Sequence, residues 1–178
     1  LTAAYSAFAN GGIYSKPIGI LKVTAENGQV LEENQITQVA VLQPEVAYLL
    51  TDMLQSVIQA GTGKAASIGR PAAGKTGTAD ETITAWFIGY TPEWLAGIYV
   101  GNDQRTPIGL TGGQVAAMWG SMMGKVTASS APIDFVKPPN VVTGIPICTD
   151  SGRIPLGRCK EIEYDAFIKG TEPKSILD

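Results

Sequence analysis

The chain has 178 residues, 44% of them hydrophobic and 16% charged, with a formal net charge of -3 at pH 7 and a pI near 5.0. That length predicts one domain, or one domain with a tail, and the composition is that of a globular chain rather than a disordered one. The acidic balance offers no electrostatic footprint for nucleic acid, and the absence of histidine removes Ser-His-Asp and Cys-His catalysis and every histidine-ligated metal site.

Leu1, Ala4, Tyr5 and Phe8 share one helical face, and Asn10-Gly11-Gly12 ends that helix with residues that accept left-handed dihedrals. With no initiator methionine and no cap ahead of Leu1, the sequence reads as a piece of something longer. A strand is expected over residues 18–24, and Asn27-Gly28 between two β-prone runs predicts a hairpin returning at Val30-Leu31. A further short extended piece is expected over residues 38–42. Pro44 opens a helix whose stripe is Val46, Leu49, Leu50, Met53, Leu54, Val57 and Ile58, with Gly61 at its stop. A Gly-rich loop then leads to Lys75-Thr76-Gly77-Thr78. Residues 84–91 and 95–101 predict an antiparallel hairpin in a largely buried sheet. Thr111-Gly112-Gly113 leads into a second helix with the stripe Val115, Met118, Trp119, Met122, Met123 and Val126, read as packing core. Prolines at 132, 138, 139, 146 and 155 mark a change of composition, so the boundary is set at 130/131, with an irregular extension over 131–178. No stretch approaches the ~18 consecutive apolar residues of a membrane-spanning helix.

Two motifs overlap in the middle of the chain. Residues 69–76 match G-x-x-x-x-G-K-[ST], the phosphate-cradling P-loop pattern. A P-loop follows a buried strand and opens into a helix. Here a helix and a loop precede the motif, β-prone residues follow it, and Pro71 removes one of the backbone donors the loop needs. The same residues make better sense on a strand. Alternation puts Thr76 and Thr78 on one face and Lys75 on the other. Gly77 lets a substrate backbone lie close, and the Thr78 N–H is free to aim at a developing oxyanion. The lysine supplies positive potential for a carboxylate-bearing substrate.

Lys75-Thr76-Gly77 on a sheet edge is an element of penicillin-binding proteins and class A β-lactamases. Segments 5–12 (YSAFANGG), 61–64 (GTGK), 73–78 (AGKTGT), 85–92 (AWFIGYTP), 100–103 (VGND) and 167–173 (FIKGTEP) resemble, in order and spacing, the transpeptidase domain of class A penicillin-binding proteins. The long tail and the hairpin after the motif do not resemble a β-lactamase. The resemblance implies an α/β (α+β) fold, a mainly antiparallel sheet flanked by helices, incomplete in this chain. It implies a serine D,D-transpeptidase acting on D-Ala-D-Ala stem peptides of peptidoglycan, acylated by β-lactams and needing no cofactor or metal. The protein would be extracytoplasmic and anchored to the bacterial membrane by a segment outside this sequence.

By the same resemblance, Lys75 polarises the serine of an S-x-N motif, Thr76 and Thr78 hold the substrate or penicillin carboxylate, Gly77 gives clearance, and the Thr78 N–H forms half the oxyanion hole. None of the nine serines begins S-x-x-K or S-x-N. The nucleophile and its lysine are therefore expected upstream, in the other half of the same domain, and the chain alone is expected to be inactive. The alternatives are a P-loop nucleotide-binding protein and a non-catalytic scaffolding fragment.

Other residues are read more plainly. Trp86, Phe87, Tyr90, Trp94 and Tyr99 are expected in the sheet core, Arg70 and Lys64 in solvent, and Asp80-Glu81 in an exposed turn. Cys148 and Cys159, too few for a four-cysteine zinc site, either pair with each other or leave one for a cysteine beyond Asp178.

Overall fold

The computed structural model describes residues 1–79, 82–155 and 159–173. Its centre is an antiparallel sheet of three strands, β5 (Ala73–Thr78), β6 (Thr84–Tyr90) and β7 (Leu95–Gly101), in that spatial order. Four shorter strands come first in the chain, β1 (Ile13–Ser15), β2 (Lys22–Thr24), β3 (Val30–Glu33) and β4 (Gln38–Ala40). They form two small antiparallel pairs, β1 with β4 and β2 with β3. The Asn27-Gly28 hairpin joins the second pair, and Gly28 takes the positive φ of 82° that such a turn requires. Only the last three residues of the strand expected over 18–24 are paired, and the β1–β4 pair was not anticipated.

The expected N-terminal helix is a 3-10 turn, Thr2–Tyr5, running into one α-turn, α1 (Ser6–Ala9). Gly11 and Gly12 then turn the chain at φ 58° and 97°. Helix α2 (Pro44–Gln59) begins at the predicted proline. Its buried residues are Ala47, Thr51 and Ile58, while Val46 and Met53 of the predicted stripe are exposed. Helix α3 (Gly112–Val126) buries Val115, Trp119 and Met123 but exposes Met118, Met122 and Val126.

The main core lies between α3 and one face of the sheet. Alternation sends Ala85, Phe87, Ala96, Ile98 and Val100 to that face, where Phe87 meets Trp119 with ring centroids 5.4 Å apart. The buried Trp119 indole N–H is satisfied by the Ala96 carbonyl at 3.1 Å. Burial of each of these aromatic side chains contributes about 1.5–3 kcal/mol. Gly89 allows the contact, because a Cβ there would stand 2.9 Å from the Trp119 ring. Gly120 likewise lets α3 approach the 3-10 turn Lys64–Ala66, with a Cβ only 3.0 Å from the Ala65 carbonyl.

The opposite sheet face carries Tyr90, whose hydroxyl meets Thr51 Oγ1 of α2 at 2.9 Å. Burial pushes the Tyr90 hydroxyl up to about 12. The sheet-core expectation therefore holds for Phe87 and Tyr90 but not for Trp94 and Tyr99, which are half exposed. Trp94 lies in the turn just before β7, and Tyr99 lies on β7 on the face opposite α3. Arg70 also departs from expectation. Its side chain is 7% exposed, because its guanidinium donates to the hydroxyl and carbonyl of Ser130 and pairs with Glu93 at 3.9 Å. Asp80 and Glu81 lie outside the described residues.

The extension expected to be irregular holds an antiparallel pair, β8 (Val141–Cys148) with β9 (Ile162–Ile168). A register shift between Val142 and Ile145, with Gly144 at φ 74° and Pro146 in the strand, breaks the two-residue period that would have announced it. Cys148 and Cys159 form a disulfide across a Cα–Cα distance of 5.8 Å, which decides between the two pairings left open by the sequence.

Candidate functional site

The K-T-G-T residues are the last four of β5, the edge strand of the central sheet. The P-loop reading fails here. The motif is preceded by a helix and a 3-10 turn, and its Lys75-Thr76 lie inside a strand.

Strand register determines what the edge presents. Ala79 N–H donates to the Thr84 carbonyl at 3.0 Å, and Thr78 stands opposite Ala85. Odd-numbered residues of β5 thus bond towards β6, and Gly74, Thr76 and Thr78 turn their N–H and C=O groups to the other edge. Among the described residues no strand pairs with that edge. The Thr78 amide points there, as does the Thr76 carbonyl, which accepts from Lys75 Nζ at 3.0 Å.

The side chains of Thr76 and Thr78 face the start of α3. Gly112 N–H donates to Thr78 Oγ1 at 3.1 Å. Thr76 Oγ1 meets Thr62 Oγ1 at 2.8 Å. The start of α3 sits close because Gly112 has no side chain: a Cβ there would lie 2.9 Å from Thr76 Cβ and 3.2 Å from Thr78 Oγ1. The lead-in to α3 is held locally, since Thr111 N–H donates to Gln114 Oε1 at 2.8 Å.

Lys75 begins on the opposite face, as alternation requires, but its stem curls around the edge. Its ammonium also comes within 3.5 Å of Thr76 Oγ1. Lys75 and Thr78 are exposed, while Thr76 and Gly77 are half buried. Behind Gly77, on the lysine's face, the rings of Trp86 and Tyr99 meet at a tilt of 49° with centroids 4.7 Å apart. The structure thus brings Lys75, Thr76, Gly77 and Thr78 to one open edge carrying a cation, two hydroxyls and an outward amide. Such a set can bind an anionic group and receive negative charge on a carbonyl oxygen.

Thr62 and Gly112 join this edge without having been singled out for it. Both contacts are long-range; the sequence signals were that each sits in a short Gly-rich stretch, Gly61-Thr62-Gly63 and Thr111-Gly112-Gly113, and that 61–64 is one of the segments carrying the family resemblance. A cavity of about 490 Å³, lined in part by Phe8, Tyr48, Pro92 and Phe135, lies at the opposite end of the β6–β7 hairpin and has no part in the edge.

The family model described as "Penicillin binding protein transpeptidase domain" matches residues 1–118, and "Penicillin-binding protein 1A, C-terminal domain" matches residues 137–178. Penicillin-binding protein 1A of Clostridium tetani is 34% identical over 100% of this chain and 24% of its own length. That of Aquifex aeolicus is 39% identical over 97% of this chain and 24% of its own length. The chain therefore spans about a quarter of the length of these curated relatives. Among solved structures, penicillin-binding protein 1A of Haemophilus influenzae shares the fold at a TM-score of 0.82, with 24% identity, covering 99% of this chain and 32% of that one. The D,D-transpeptidase domain of a peptidoglycan glycosyltransferase from Eggerthella lenta aligns at a TM-score of 0.60 and 26% identity, over 72% of this chain and 31% of that one. Penicillin-binding protein 3 of Mycobacterium tuberculosis, solved with ampicillin, aligns at 0.58 and 25% identity, over 78% of this chain and 36% of that one. With its K-T-G-T residues on an open sheet edge and a family match over residues 1–118, the chain belongs to the penicillin-binding protein transpeptidase family.

Proposed function

We propose that this chain is the K-T-G-bearing part of a serine D,D-transpeptidase. The full protein would crosslink peptidoglycan stem peptides ending in D-Ala-D-Ala and be acylated by β-lactams. The observation that carries this reading is the edge of β5, where Thr78 turns its amide outward while its hydroxyl is held by Gly112 N–H.

In this reading a serine from the upstream half of the domain attacks the carbonyl between the two D-alanines. Terminal D-alanine leaves, and the amine of a second stem peptide takes the acyl group from the serine. The Thr78 N–H supplies half of the oxyanion hole, and preorganised donors of this kind lower the barrier without reorganising during the reaction. Thr76 and Thr78 hydroxyls hold the carboxylate of the terminal residue, or that of a penicillin. Lys75 supplies positive potential and polarises the S-x-N serine, while Gly77 lets the substrate backbone lie along the edge.

The division into 1–130, the end of the transpeptidase domain, and 131–178, an extension that meets α2 where the Asn140 side-chain amide donates to Glu45 Oε1 at 3.3 Å, belongs to the same proposal. So does an extracytoplasmic location. No helix among the described residues is long and apolar enough to cross a membrane.

The test is a covalent adduct. The purified chain is incubated with a fluorescent penicillin, alone and after mixing with the upstream segment that carries S-x-x-K, and adducts are read by mass. The reading predicts none on the chain alone and one on the serine in the mixture. An adduct on the chain alone, or none in a mixture whose fragments associate, would overturn it.

A further inference from the structure

The loop between α2 and β5 has one side chain that reaches the K-T-G edge, Thr62. Its Oγ1 lies 2.8 Å from Thr76 Oγ1. The loop does not depend on this contact for its position. Gly61 and Gly63 N–H groups donate to the carbonyls of Ser56 and Val57 in the last turn of α2, at 3.1 and 3.0 Å. Both glycines are packed tightly: a Cβ on Gly61 would stand 2.9 Å from Val57 Cα, and one on Gly63 would stand 3.2 Å from the Phe87 ring. Phe87 is the cross-strand partner of Thr76. The backbone thus holds the loop against the neighbour of Thr76, and the Thr62 hydroxyl is left, exposed, with Thr76 as its partner.

A hydroxyl has one proton to give and two lone pairs to receive. Lys75 can only donate, and its ammonium lies 3.5 Å from Thr76 Oγ1. If Thr62 also donates, both lone pairs of Thr76 are engaged and its own proton points outward as a donor. Thr78 has one of its two acceptor sites filled, by Gly112 N–H. Filling the acceptor sites of a hydroxyl turns its proton outward, so both threonines are biased towards donating, which suits a carboxylate.

We propose that Thr62 is a positioning residue for the transpeptidase site, setting the Thr76 hydroxyl as a donor to the carboxylate of the substrate or β-lactam. This rests on the reading of Thr76 and Thr78 as the carboxylate clamp. Thr62 touches neither substrate nor reacting atoms.

The test uses the transpeptidase assembled with its S-x-x-K segment and compares acylation by benzylpenicillin with acylation by its methyl ester, which lacks the carboxylate charge. The wild type should prefer the acid. Thr62→Val keeps the shape and removes the hydroxyl, and should lower the acid-to-ester ratio of acylation rates about 2- to 12-fold, one hydrogen bond's worth, leaving the ester rate unchanged. Thr62→Ser should restore the ratio. Should Thr62→Val fail to fold, Thr62→Ala carries the same measurement. A wild type indifferent to the ester would refute the clamp itself. A wild type that prefers the acid, with a variant that keeps the ratio or loses both rates equally, would refute the role of Thr62 alone.

Discussion

Gly112→Ala places one methyl group where α3 meets the K-T-G strand. The φ of Gly112 is not positive, so the backbone accepts alanine and the consequence is steric. The new Cβ would stand 2.9 Å from Thr76 Cβ, against ~3.5–4.0 Å for carbon atoms at optimal separation. Thr76 Cβ is fixed by its own backbone and cannot rotate away, so the start of α3 must retreat by roughly 0.6 Å or more. Overpacking of this kind costs about 1–3 kcal/mol. The helical preference of alanine over glycine returns at most ~1 kcal/mol, and less at a helix start. The net loss should be about 1 kcal/mol in unfolding free energy. The retreat also stretches the bond from Gly112 N–H to Thr78 Oγ1, now 3.1 Å, towards the limit of a useful contact. If the clamp depends on that bond, benzylpenicillin acylation of the assembled transpeptidase should fall about tenfold, the equivalent of ~1.4 kcal/mol. Gly113→Ala is the control, because its Cβ would meet nothing nearer than 3.8 Å. It should keep the acylation rate and the melting temperature. A Gly112→Ala protein that acylates as fast as wild type and melts no lower would refute the reasoning.

Arg70→Ala removes a buried guanidinium that ties the turn at Glu93 to Ser130, and should cost about 2–3 kcal/mol in chemical denaturation through its lost charge-assisted bonds. A cost below 0.5 kcal/mol would mean that the loop before β5 is held without it. Replacing both Cys148 and Cys159 by serine opens a loop of sequence separation 11 and should lower stability by about 3 kcal/mol on the chain-entropy argument. Hydrogen exchange should place that loss in β8 and β9 and leave β5–β7 protected; equal loss in both would contradict it. Burial holds the Tyr90 proton up to about 12, with Tyr5 adding to the shift and the Thr51 hydrogen bond opposing it. The unfolded chain releases the same proton near its ordinary 10.0, so this contribution is full below pH 10 and is lost as pH rises towards 12. Tyr90→Phe should therefore flatten the alkaline fall in stability across that window, as followed by denaturant midpoints. An unchanged slope would show that other groups govern it.

What could be read from the sequence, and what could not, divides by the range of the contact. The two-residue period put Thr76 and Thr78 on one face and Lys75 on the other, and a strand needs nothing beyond its own residues for that. The helices from Pro44 and after Thr111 were legible for the same reason, and so was the turn at Asn27-Gly28. Where two distant segments meet, local pattern is silent. Arg70 looks like any surface arginine until Ser130, sixty positions away, closes over it. Thr62 looks like a turn residue until Thr76 folds back beside it. Met118, Met122 and Val126 obey the helical period as faithfully as Val115 and Trp119, yet they are exposed and the others are buried. A stripe reports that a helix has an apolar face. Which part of it is covered depends on the elements that reach it, and here the sheet reaches one side only. The candidate site falls on both sides of this division. Its four chemical groups lie in consecutive positions of β5 and were visible at once. The two contacts that orient its hydroxyls come from a loop and a helix start 14 and 34 positions away, and only the fold brings them together.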